Sequence, residues 1–142
     1  MTVWKLEVQD RLRAAGYRNG AARVALVDLL DTQTCCASAA GLHETLRAQG
    51  RNVGLASVYR VLDSLLAAGL VQRVDVGDGI ARYEPVRTSA EHHHHLVCTG
   101  CGTVEAFTDP GLERAIHRVE ETSGYAVDKH DVVLHGACAN CR

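Results

Sequence analysis

The sequence is short of aromatic residues, of proline and of long apolar runs. Its 142 residues include one Phe, one Trp, one Met and two Pro, and aromatics make up 4%. So few aromatics leave any core to aliphatic side chains. No apolar run approaches the roughly 20 residues that cross a bilayer as a helix, so no membrane partner is expected. The opening residues, Met1-Thr2-Val3-Trp4-Lys5-Leu6-Glu7, lack the basic-then-apolar pattern of a secretory signal. A cytoplasmic protein is therefore expected. An excess of one charge is missing too: the net charge is −2. Residues 1–84 carry ten Lys/Arg against nine Asp/Glu, and residues 85–142 carry five against eight. That balance permits DNA binding by the first half without predicting it. Apolar residues at 46% and charged residues at 23% exclude wholesale disorder.

Cysteine and histidine are abundant, at six and eight residues. A reducing cytoplasm makes such cysteines metal ligands before disulfides.

Apolar spacing predicts four helices in the first half, over about 3–15, 20–31, from Ser38 to Gly50, and 55–68. Ser38 is a good N-cap, and Gly16, Gly50 and Gly69 are good helix stops. After Gly69 the period changes to two. Leu70–Val76 and Ile80–Glu84 read as strands about a Gly77-Asp78-Gly79 turn. Helices followed by a hairpin give a winged helix-turn-helix over 1–84, with 85–91 as a hinge. The remainder, 92–142, reads as strands at His93–Cys98 and Thr103–Thr108, a helix opened by Asp109-Pro110 and ending near Thr122, and a strand at about His130–His135. The fold class is α+β, with a small C-terminal α/β domain that is marginal without a metal or a partner subunit.

Cys98-x-x-Cys101 and Cys138-x-x-Cys141 form two matched pairs. Each places two thiolates on one tight turn, and four sulfurs make a closed tetrahedral Zn²⁺ site with no open position for catalysis. A redox dithiol would need one such pair at a helix N-terminus, which fits two pairs less well. The run His92-His93-His94-His95 lies inside the chain. On a strand, His92 and His94 face one way and His93 and His95 the other, so the run offers two imidazole pairs for two ions. Each pair lacks further ligands. Cys35, Cys36, Glu84, Glu105, Glu113, His117, His130 and His135 are the candidates, and spacing alone does not choose among them.

Taken together, Ser57-Val58-Tyr59-Arg60-Val61-Leu62 with Gly69-Leu70-Val71, and the four histidines leading into Cys98-x-x-Cys101-Gly102 with Cys138-x-x-Cys141, resemble the ferric uptake regulator (Fur) family. The likeness covers nearly all of residues 10–142 and is strongest to the zinc-uptake branch. The resemblance implies an N-terminal DNA reader and a C-terminal dimerisation domain. It also implies that Cys98, Cys101, Cys138 and Cys141 hold structural zinc. His92, His94, Glu113 and His130 match a site inside the dimerisation domain, for Zn²⁺ or Fe²⁺. His93, His95 and Glu84 match a hinge site, where the family's histidine before helix 3 falls on Cys35 or Cys36, Cys36 being the closer match. The chain departs from the family pattern at Gln72 and Val86, where zinc-branch relatives often carry Asp and Cys. It departs again at Ala106, where the family has an acidic ligand, and over Arg18-Asn-Gly-Ala-Ala-Arg23.

These readings lead to a zinc-responsive homodimeric repressor of palindromic operator DNA, with Ser57, Tyr59 and Arg60 at the DNA. Sensors of Fe, Mn or Ni, or of peroxide, are the alternatives within the family. A zinc hydrolase or deaminase is the alternative from another class. His43-Glu44-Thr45-Leu46-Arg47 begins like HExxH but lacks the second His, so no enzyme is expected. A zinc-ribbon module binding only protein would leave the Tyr59-Arg60 helix and the wing without a purpose.

Overall fold

The computed structural model describes residues 1–87 and 92–142. The chain divides into two compact units, Met1–Ala90 and Glu91–Arg142. The hinge expected over 85–91 falls largely on residues 88–91, outside the described residues.

The N-terminal unit is helical with a small sheet: α1 (Val3–Ala14), α2 (Ala21–Thr32), β1 (Ala37–Ser38), α3 (Ala39–Ala48), α4 (Leu55–Ala67), β2 (Val71–Val74) and β3 (Arg82–Pro85). Thr2 and Ser38 cap α1 and α3 by accepting the backbone N–H of Lys5 and Gly41. Each leaves an otherwise orphaned donor satisfied. Gly16, Gly50 and Gly69 take positive φ just beyond α1, α3 and α4, where a side chain would be strained. The spaced apolar residues bury as one core of Val8, Leu12, Leu26, Leu30, Leu42, Leu46, Val58, Leu62 and Leu65 with the remaining small aliphatics. Trp4 is the aromatic anchor of that core. It is buried, and its Nε1–H donates to the Leu70 carbonyl at 2.8 Å. The Arg87 guanidinium lies 5.6 Å from the Trp4 ring centre and donates to both the side chain and the carbonyl of Asp31. The strand leaving the wing is thereby tied back to α2.

The wing differs from its expected form. β3 pairs antiparallel with β2 from Val71↔Pro85 to Val74↔Arg82, so the loop runs over 75–81 rather than closing at 77–79. The side chains of Asp75 and Asp78 account for this, since they accept the N–H groups of Gly77 and Ile80. Such local turns compete with strand pairing. Pro85, expected to open the hinge, ends β3 instead, and the next N–H, from Val86, bonds the Leu70 carbonyl. A third strand, absent from the sequence expectation, joins this sheet. β1 pairs with β3 through Ala37↔Tyr83 and Ser38↔Arg82, giving the order β1-β3-β2.

The C-terminal unit contains β4 (His94–Cys98), β5 (Val104–Phe107), α5 (Pro110–Ser123) and β6 (Val133–Gly136). Its sheet has the order β5-β4-β6, antiparallel on the β5 side and parallel on the β6 side. Asp109 caps α5 with Pro110 in the first turn, and Gly124 closes it at φ 75°. Few apolar side chains are buried here: among the described residues, Val97 and Cys98. Leu96, Val119, Tyr125, Val127 and Leu134 remain exposed. This unit cannot rest on an aliphatic core of its own. No helix among the described residues is long and apolar enough to cross a membrane.

Candidate metal centres and nucleic-acid face

The four cysteines of the two CxxC turns converge. Cys98 ends β4, Cys101 lies on the turn after it, and Cys138 and Cys141 follow β6. The parallel pairing of β4 with β6 sets Cys98 against Gly136 and so brings the second turn to the first. All four sulfurs lie within 4.8 Å of one another, and Cys101 and Cys138 are 3.9 Å apart. A tetrahedral Zn²⁺ with bonds of about 2.3 Å places its sulfurs about 3.8 Å apart, so the set fits that ion. The backbone is shaped for it. A Cβ on Gly100 would lie 3.2 Å from both Cβ and Sγ of Cys141, so a side chain at position 100 would crowd the second turn.

The thiols do not titrate alike. The N–H groups of Cys138 and Cys101 point at Cys98 Sγ and lower that thiol to about 6. Cys101 is also lowered, chiefly by its contact with the Thr103 hydroxyl. Cys141 is pushed up to about 12, chiefly by its neighbour Cys138 and then by Cys98 and Cys101. Four thiolates gathered here repel one another, and a bound cation would offset that repulsion. Binding one would release the remaining protons.

A second set lies within the same unit. His94 on β4 and His130 before β6 meet the two oxygens of Glu113 on α5, at 2.6 Å and 2.7 Å through their Nε2 atoms. His92 Nε2 is 3.9 Å from Glu113. The four residues offer ligand atoms that all lie within 4.8 Å of one another. His94 holds the Glu113 carboxyl below its usual range, with His130 adding to the effect. The donors suit a borderline divalent ion such as Zn²⁺ or Fe²⁺. The strand alternation expected for the histidine run is seen in both pairs. The rings of His92 and His94 are 4.5 Å apart, and those of His93 and His95 are 5.0 Å apart.

The residues expected at the hinge site divide between the units. His93 and His95 belong to the C-terminal unit. Cys36 and Glu84 belong to the N-terminal unit, next in register beyond the Ala37↔Tyr83 pair. Gln72, which faces Glu84 across the β2–β3 ladder, donates from Nε2 to Glu84 Oε1 at 2.7 Å. The Cys36 thiol is pushed up, first by its contact with Cys35 and then by burial, with the charges of Cys35 and Glu84 adding. Of the other candidate ligands, Glu105 and His117 are exposed, and His117 lies 3.7 Å from Glu120.

On α4, Val58, Leu62 and Leu65 are buried, while Leu55, Tyr59 and Arg60 are exposed near the N-terminal end. Arg60 donates to the Ser57 hydroxyl at 2.9 Å. Asp28 is held by Lys5 and Arg51. Among the described residues Arg60 forms no ion pair, so its charge is turned outward beside Tyr59.

Beside these features, the sequence itself matches the Ferric uptake regulator family over residues 14–135. The chain belongs to that family. Members are transcription regulators and not enzymes. Fur-family similarity extends over nearly the whole length. The ferric uptake regulation protein of Bordetella parapertussis is 34% identical over 135 residues, 94% of this chain and 96% of its own. The zinc uptake regulation protein of Mycobacterium tuberculosis is 37% identical over 131 residues, 92% of this chain and 99% of its own, which supports the likeness to the zinc branch. Among solved structures, the Vibrio cholerae ferric uptake regulator superposes with a TM-score of 0.76 at 32% identity, covering 89% of this chain and 96% of that one. The Fur fold, a helical DNA-binding type domain followed by a small α/β domain, is the one expected from the sequence.

Proposed function

We propose that this Fur-family regulator is a zinc-responsive homodimeric repressor that binds palindromic operator DNA. The observation that carries the reading is the presence, in one small unit, of two separate ligand sets. A closed four-thiolate set suffices to staple the unit. The additional set of His92, His94, Glu113 and His130 is then available for an ion that comes and goes. Soft thiolate and imidazole donors favour Zn²⁺ over Mn²⁺. Fe²⁺ at the histidine–carboxylate set is the second reading, favoured by its lack of sulfur.

The signal is read at a third site. By resemblance to the family, Cys36, Glu84, His93 and His95 take an ion that fixes one orientation of the DNA-binding domains. Only a fixed spacing of two recognition helices fits two major-groove half-sites one turn apart, roughly 34–36 Å. A differential affinity of about 10⁴ moves such an equilibrium from about 1:99 to 99:1. Ser57, Tyr59 and Arg60 meet the DNA from the tip of α4. Leu96, Val127 and Leu134, exposed on a unit with so little core, supply apolar surface for the second copy.

A gel shift on palindromic A·T-rich DNA with Zn²⁺, with Fe²⁺ and with chelator tests this. Retardation with Zn²⁺ and release by chelator are expected. Retardation by Fe²⁺ alone would move the chain to iron sensing, and metal-independent binding would remove the switch.

A further inference from the structure

Cys35 and Cys36 stand side by side at the bend before β1, both half-buried. Neighbouring residues of an extended chain point to opposite faces. Convergent sulfurs are therefore not what adjacency alone delivers. The bend at Thr34-Cys35 turns the two together, and their Sγ atoms lie 3.8 Å apart.

That separation has an internal standard. Cys101 and Cys138, in the four-thiolate set, are 3.9 Å apart. With bonds of about 2.3 Å, sulfurs 3.8 Å apart subtend about 110° at a common ion, the tetrahedral angle. A linear two-coordinate ion with the same bonds would need them about 4.6 Å apart. A disulfide would need them at about 2.05 Å. The spacing is that of a thiol–thiol contact, and it also fits two corners of a tetrahedral cation site.

We propose that Cys35 and Cys36 act together as a dithiolate clamp for one thiophilic divalent cation, Zn²⁺ or a congener such as Cd²⁺, with Cys35 a ligand in its own right. The inference rests on the reading of Cys36 as a hinge-site ligand and deepens it. The clamp fills two places of a tetrahedral shell and leaves two for other ligands. Two thiolates in place of one imidazole make the site softer than a His/Glu set, which excludes Mn²⁺ and weakens Fe²⁺ relative to Zn²⁺. Selectivity for the metal would thus be set in the DNA-binding domain, by two adjacent residues.

The test uses the full-length dimer with zinc already in the four-thiolate set, titrated with Co²⁺ to fill the hinge site. Sulfur-to-Co²⁺ charge transfer in the near ultraviolet scales with the number of bound thiolates. The band should fall by half in Cys35→Ser, fall by half in Cys36→Ser, and vanish in the double variant. A band untouched by Cys35→Ser and abolished by Cys36→Ser would overturn the clamp and leave the single-cysteine hinge site standing. No band in the wild-type protein at full hinge occupancy would overturn both. A measurement without any substitution guards against misfolded variants. Alkylation of the wild-type protein, followed by mass spectrometry, should show Zn²⁺ protecting Cys35 and Cys36 alike. Protection of Cys36 with Cys35 still reacting at its metal-free rate would again overturn the clamp.

Discussion

The backbone N–H of Val132 donates to Nδ1 of His94 at 3.1 Å. An Nδ1 that accepts carries no proton, so neutral His94 keeps its proton on Nε2 and gives it to Glu113, 2.6 Å away. A metal ligand bound through Nε2 needs the other tautomer. Loading the His92, His94, Glu113 and His130 site should therefore move the His94 proton to Nδ1 and loosen the Val132 contact. Long-range proton–nitrogen correlation of ¹⁵N-labelled protein reads the tautomer directly. Nε2–H is expected without metal and Nδ1–H with it. An unchanged tautomer on loading would show that His94 does not bind through Nε2.

The four-thiolate set should govern folding rather than sensing. Cys98→Ser or Cys141→Ser removes one ligand from a closed site in a unit with almost no aliphatic core. Loss of the C-terminal fold and of the dimer is expected, since structural zinc supplies folding free energy outright. Circular dichroism and sedimentation velocity check this. A folded, zinc-responsive dimer from either variant would contradict the structural role.

Arg60→Ala should weaken operator binding. The loss should be about 1–3 kcal/mol if the guanidinium reads a base edge. If it touches only phosphate, binding to all sequences should fall alike and the salt slope should drop by about one. Affinity measured against salt, for operator and scrambled DNA, separates the two. Unchanged binding to both would take Arg60 out of the interface.

Asp28 should give the N-terminal unit a pH-dependent contribution. Lys5 lies 2.6 Å away and Arg51 3.3 Å, and their contacts, Lys5 first, lower the Asp28 carboxyl below its usual value. A lowered carboxyl stabilises the fold above its unfolded value, about 3.9, and that contribution is lost as pH falls through the folded value. The side chain is about a third exposed, at 34%, so solvent screening limits the effect to about 0.2–1 kcal/mol. Asp28→Asn should cost that much near pH 7. The difference from wild type should shrink below about pH 4 and in high salt. Urea melts across pH check it, and a difference constant down to the acid limit would contradict the ion pair.

Much of this protein was determined by the sequence alone, because its signals are local. Apolar residues three and four apart made α2 and α4, Ser38 and Asp109 capped α3 and α5, and positive-φ glycines stopped the helices where expected. Two CxxC turns announce a four-thiolate site because each pair converges within one turn of chain. Alternation on a strand sorted the four histidines into two pairs without knowledge of the fold.

What depended on distance along the chain had to await tertiary structure. Nothing near Cys98 says that β6 runs parallel to β4, yet that pairing brings the Cys138 turn to it. Glu113 was one of several possible carboxylates until α5 set it against His94 and His130. β1 is two residues long and pairs with residues some 45 positions away. Two residues carry no period, so only the packed fold could reveal it. The long wing loop arose because Asp75 and Asp78 capture local N–H groups, a competition that strand periodicity does not register. The spacing of the Cys35 and Cys36 sulfurs likewise belongs to a backbone bend, which residue order does not encode and the folded chain fixes at 3.8 Å.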